Sequence, residues 1–198
     1  EGNIPIGENY NDHTPINIEY EKKRPIFMVG TSQKAPDSMF KTLVYASMLK
    51  NIETYLIDAS PSQNVASFAN TLSYPNITIA DERGYLETLN TIYDIYKKRE
   101  KNLRDNHYPI FFFVNNLQAI VDFINNCKFE TKDKSNLSVD TEKSMAEIIA
   151  SLKTKSSVAN SNQSISGKET LVPFLMSNAY KANIFIAVSM DSVNLTND

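Results

Sequence analysis

The chain has 198 residues, a formal net charge of −3 and 22% charged residues, which suits one domain with a single sizeable core and leaves no basic surplus for nucleic acid. Its single cysteine, Cys127, excludes an internal disulfide, and no apolar run approaches the roughly 20 residues that a membrane helix needs. The N-terminal EGNIPIGENYNDH has neither the basic start nor the apolar centre of a signal peptide, and a first residue other than methionine reads as a piece of a longer protein.

Residues 24–30, RPIFMVG, form a short apolar run without polar alternation, the pattern of a strand covered on both faces. A helix is predicted over 37–51, with Met39, Leu43, Ala46 and Leu49 at helical spacing and Asp37 or Ser38 as its N-cap. ETYLIDA (53–59) reads as a second strand, QNVASFANTL (63–72) as a short helix and NITIAD (76–81) as a third strand. The longest helix spans 83–104, with Leu86, Leu89, Ile92, Tyr93 and Tyr96 on one face and a basic end that suits its dipole.

YPIFFFVNN (108–116), the most apolar stretch, reads as a central strand, and 117–127 as a helix. Polar residues 128–140 read as a loop, 141–155 as a helix, and the Ser/Asn-rich 156–169 as an exposed linker. TLVPFLMSNAYKA (170–182) gives a last helix and NIFIAVSM (183–190) a last strand. Strands alternating with helices argue for an α/β sandwich with a mostly parallel sheet, whose ligands sit at the C-terminal strand ends. The loops after Gly30, Asp58, Val114 and Ser189 are therefore the places to look for chemistry.

An apolar strand, a short loop and an amphipathic helix are the setting of a phosphate loop, G-x-x-x-x-G-K-[ST]. With Gly30 as the first glycine, Ala35 stands at the second, Pro36 at the lysine and Asp37 at the hydroxyl. Proline removes a backbone donor and aspartate sets a negative charge beside the phosphates. Lys34 lies two residues short of the lysine position. Nucleotide hydrolases end the later strand with an aspartate for magnesium, often followed by a glutamate that polarises water. Asn115 and Asn116 stand there, close to aspartate in shape but uncharged.

In the order of these segments the chain resembles the FtsK/SpoIIIE family of motor ATPases, in particular the C-terminal domain of EssC-type coupling proteins of type VII secretion. The resemblance runs over residues 4–192 and rests on IPIGENYNDHTPINIEYEKKRPIFMVG, ADERGYLETLNTIYDIYKKREKNL and NAYKANIFIAVSMDS. It implies a RecA-like P-loop three-layer sandwich over 1–198, with a lead-in (1–24) and an α/β core (25–192). It also implies a degenerate nucleotide site at Gly30, Thr31, Ser32, Gln33, Lys34, Ala35, Pro36, Asp37 and Ser38, a degenerate acidic motif at Asn115 and Asn116, and a degenerate sensor at Ser189, with Asp191 in place of the family's arginine. No catalytic residue or metal ligand is expected, and ATP with magnesium binds weakly if at all. The implied context is a bacterial membrane-anchored protein with tandem ATPase domains on the cytoplasmic side. Such proteins form hexamers and recruit secreted WXG100-type substrates, and no nucleic acid is expected as a partner.

Other readings stay open. The chain reads as a substrate-recognition or regulatory domain, as a nucleotide-binding ATPase domain active only in an oligomeric ring, or as a DNA-translocating motor domain. Residues 30–38 also read as a plain strand-to-helix turn, Asn115 and Asn116 as polar caps, and Asp58 as a cap or turn former rather than a cation ligand. KKREK (97–101) reads as a solvated helix face, Tyr85, Tyr93 and Tyr96 as packing, and Cys127 as structural. His13 and His107 have no companions at metal-ligand spacing.

Overall fold

In a computed structural model, residues 2–22, 24–30, 32–102, 107–123 and 171–191 are described. Thr31, Cys127 and the segments read from the sequence as a loop (128–140), a helix (141–155) and a linker (156–169) lie outside them. The chain divides into two compact units, Glu1–Ile120 with Val172–Asp198 and Val121–Leu171.

The lead-in folds as a hairpin of β1 (Asn3–Glu8) and β2 (Pro15–Glu19), paired antiparallel with a register shift between Pro5 and Gly7. Ile4 is fully buried, and Ile6, Ile18 and Tyr20 pack on the same core cluster. Tyr20 meets Phe111 edge-on at 5.2 Å between ring centroids. The IPIG segment thus covers one face of the main sheet.

That sheet has five parallel strands: β3 (Ile26–Gly30), β4 (Glu53–Asp58), β5 (Ile77–Ala80), β6 (Ile110–Asn115) and β7 (Ile184–Asp191), in the spatial order β3-β7-β6-β4-β5. The FFF run sits in the central strand, and all six residues of β6 are buried. Side-chain alternation sends Phe111 and Phe113 to the face that also holds Phe40 and Phe185, and Phe112 to the other. β3 departs from the expectation of a strand covered on both faces. It is an edge strand, with Phe27 and Val29 nearly half exposed.

The helices are α1 (Lys34–Leu49), α2 (Asn64–Thr71), α3 (Tyr85–Glu100), α4 (117–123) and α5 (Leu171–Asn178), with 3₁₀ turns at Glu82–Gly84 and Ala179–Ala182. α1 begins three residues before the expected cap, so neither Asp37 nor Ser38 caps it; Gln33 stands at the N-cap with no side-chain capping bond. Pro36 is tolerated there because first-turn N–H groups lack an intrahelical acceptor in any case. Of the expected stripe of α1, Leu43 and Ala46 are buried and Met39 packs half-buried on the core, but Leu49 is 67% exposed; Phe40, Val44 and Ser47 widen the buried face. On α3 the expected face holds, with Leu86, Leu89, Ile92 and Tyr96 buried.

From β4 the chain passes outward to β5, whereas from β6 the next core strand is β7, on the opposite side. The two connections diverge between β4 and β6, which makes the C-terminal ends of these strands the switch point of the sheet.

Candidate functional site

Asp58 and Asn115 end β4 and β6 and are register partners at that switch point. Both are buried, as are Asp37 in the first turn of α1 and Ser189 near the end of β7. Such polar groups persist in an interior only when hydrogen-bonded, and among the described residues every buried side-chain nitrogen and oxygen has a partner.

Asn115 is the hub. Its Nδ2 donates to Asp37 Oδ1 and to Asp58 Oδ1, each at 2.9 Å. Its Oδ1 accepts from Gln33 Nε2 at 2.8 Å and from Ser189 Oγ at 2.7 Å. The carboxamide therefore spends its two donors and both acceptor lone pairs. The network also fixes its orientation, since a flipped amide would turn its oxygen toward two carboxylates.

Each carboxylate is surrounded by neutral donors. Asp37 Oδ1 also accepts from Gln33 Nε2 at 2.9 Å, and its Oδ2 accepts from Asn64 Nδ2 at 3.1 Å. Asp58 Oδ2 accepts the backbone N–H groups of Val65 (3.0 Å) and Ala66 (2.9 Å), so a strand-end aspartate caps α2 from a distance. Ser60 adds its Oγ at 2.6 Å and its N–H at 3.3 Å to Asp58 Oδ1. The ring of Tyr85 lies beside them, its OH donating to the Asp58 carbonyl at 3.3 Å, and burial pushes this phenol up to about 12.

The remaining residues singled out from the sequence fall around this cluster. Ser32, Lys34, Ala35 and Ser38 are exposed, Gly30 and Gln33 are half-buried, and Pro36 is buried. The loop is folded tightly on Gly30, where a Cβ would meet Ser32 O at 3.1 Å and the Pro36 ring at 3.3 Å. Asn116 adopts a left-handed backbone, φ 66°, which asparagine tolerates. Its N–H donates to Ser189 Oγ at 2.9 Å, and its Oδ1 accepts from Ala119 N at 3.3 Å at the start of α4. Asn116 thus caps the start of α4, as Asp58 caps α2. Asn115 does more than cap a strand, because it joins α1, β4, β6 and β7.

Sequence reasoning missed Asn64 and Ser60, which no motif marks. It also read KKREK as solvated, whereas Arg99 within it donates to the carbonyls of Tyr108 (2.9 Å) and Ala182 (3.0 Å). Among the described residues no group of three or more His, Cys, Asp or Glu is placed to hold a metal ion, and no helix is long and apolar enough to cross a membrane.

No protein-family model matches the chain, and no curated protein matches it in sequence. Solved structures do match its fold. The cytoplasmic domain of EssC is similar to it over 100% of this chain and 32% of that one, with a TM-score of 0.62 at 13% identity. EssC (ATPases 2 and 3) from Geobacillus thermodenitrificans matches over 100% of this chain and 30% of its own, with a TM-score of 0.60 at 13% identity. The pCW3 conjugation coupling protein TcpA, in a monomer form with ATPγS, matches over 96% of this chain and 48% of its own, with a TM-score of 0.60 at 12% identity. The chain thus spans about a third to a half of the length of these proteins, and its fold is that of a RecA-like P-loop ATPase domain.

Proposed function

We propose that this chain is an ATPase-fold domain of an EssC-type coupling protein of type VII secretion that carries out no nucleotide chemistry itself. In this reading it serves substrate recognition or regulation, beside neighbouring ATPase domains of the same chain, in a membrane-anchored protein that assembles as a hexamer. Its substrates are secreted proteins of the WXG100 type. The order of strands, the fold shared with EssC and the fit of the IPIG hairpin to the core support the assignment to this kind of protein.

The observation that carries the non-catalytic reading is the engagement of Asn115. Magnesium held at this strand end needs a carboxylate with free lone pairs, and Asn115 offers a neutral carboxamide whose donors and acceptors are all spent on protein partners. Two further features point the same way. The Pro36 ring packs down on Gly30 where a phosphate-binding loop must stay open, and the lysine position holds no cation. The donor set present here does not fit Mg-ATP.

Titration of Mg-ATP by calorimetry, with thermal unfolding alongside, tests this reading. Ligand at a hundred times its dissociation constant stabilises a fold by about 2.7 kcal/mol. In a domain of this size that raises the melting temperature by roughly 5–10 °C. The expected result is no heat and no shift up to millimolar nucleotide. Saturable binding that disappears in Lys34→Ala would instead establish a nucleotide-sensing domain. Pull-down of secreted substrates by the full-length protein, with and without this domain, tests the recognition role.

A further inference from the structure

We propose that the Asn115 side chain is a built-in substitute for a divalent cation, holding the closed arrangement of the strand ends without metal or nucleotide. The inference rests on the non-catalytic reading above, but it concerns a separate property: what the network does with the place a cation would take.

The geometry is specific. Asp37 and Asp58 come from α1 and β4, far apart in sequence, and turn one oxygen each toward the same point. A divalent cation shared by two such carboxylates would sit between those oxygens, neutralise them and tie the start of α1 to the end of β4. Asn115 Nδ2 stands between them instead, 2.9 Å from each, with one N–H aimed at either oxygen. Its Oδ1, on the far side, is fixed by Gln33 Nε2 and Ser189 Oγ, so the amide cannot rotate away without breaking four bonds.

Neither carboxylate has a cationic partner in the hydrogen bonds and ion pairs of the described residues. Among the described residues the donors to both are neutral, and the amide contributes to both at once. Its carbonyl oxygen also accepts from the buried Ser189 hydroxyl and from the half-buried Gln33 amide, which donates to Asp37 as well.

A one-atom change tests this. Asn115→Asp keeps size and shape but replaces the shared donor with a third carboxylate. Without divalent ions this variant should melt well below the parent, because three carboxylates then crowd one buried point. Magnesium or calcium should restore it, with a saturable rise of roughly 5–10 °C at a hundred times the dissociation constant, which potassium chloride of equal ionic strength does not reproduce. The rise should vanish when Asp37→Asn is added. The parent protein and Asn115→Leu should show no divalent shift.

If Asn115→Asp does not fold alone, refolding from urea with and without millimolar magnesium or calcium becomes the readout, and recovery only with the cation supports the proposal. A folded variant indifferent to divalent ions, a failure to refold in either condition, or a divalent shift in the parent overturns it. ATP binding by the parent would sink the non-catalytic reading instead, so the two failures are distinguishable.

Discussion

Asn115 and Asp58 face each other across the β6–β4 register, and the amide of one donates to the carboxylate of the other at 2.9 Å. In a parallel pair of buried strands, register partners share a level in the sheet, so the last residue of each reaches the same crevice. Two polar side chains meet there with water excluded, and each is the condition for the other's burial. The rest of the cluster is built outward from this pair.

Replacement of Asn115 by leucine should therefore be costly although leucine is close in size. Asp37 and Asp58 each lose a donor, Ser189 loses its acceptor, and Gln33 keeps only Asp37. Stranded buried polar groups cost about 1–3 kcal/mol each and more when charged, partly relieved by relaxation. A loss of about 2–4 kcal/mol in urea unfolding is expected. Parent-like stability would mean that the cluster admits water freely.

Asp58→Ala should act on α2 before it acts on the whole fold. The N–H groups of Val65 and Ala66 lose their acceptor, and the helix has only eight residues with no side-chain cap at Gln63. An N-cap replacement costs about 0.5–2 kcal/mol, and the loss of the Asn115 and Ser60 bonds adds to that. Hydrogen exchange at Val65 and Ala66 should accelerate more than exchange in β6.

The end of the α1 stripe makes a contrast between two leucines. Leu43→Ala removes a fully buried side chain and should cost about 2–5 kcal/mol. Leu49→Ala, expected from spacing alone to be equally severe, should lie within about 0.5 kcal/mol of the parent because its side chain is exposed. Equal losses in denaturant titrations would mean that α1 is set differently about its axis.

Stability should fall at alkaline pH. Burial pushes the phenols of Tyr85 and Tyr55 up to about 12 from an ordinary 10.0, reinforced by Glu82 and Asp58 near the first and by Glu53, hydrogen-bonded at 2.7 Å, near the second. A group with a raised folded pKa contributes fully below its unfolded pKa, and the contribution drains away as pH rises through the folded one. The fold should thus keep its stability below about pH 10 and lose it between about 10 and 12. Tyr85→Phe should flatten that slope, and an unchanged slope would remove Tyr85 from its causes.

The sequence by itself determined the alternation of elements, the central place of the FFF strand and the α/β class, because continuous apolar runs and helical periodicity are local properties of the chain. It also marked Gly30, Asn115 and Ser189 as lying at strand ends. Which neighbours those ends acquire was not local. Asp37 looked like a helix cap and became the buried partner of a residue 78 positions away, since strand order, not spacing, brings α1 over the end of β6. Asn64 and Ser60 carry no motif and joined the cluster only because α2 folds back on β4. β3 looked covered on both faces and proved to be an edge, because an apolar run records burial tendency but not the number of flanking strands. Long-range pairing and the need to satisfy every buried polar group decided these points, and both exist only once the sheet has assembled.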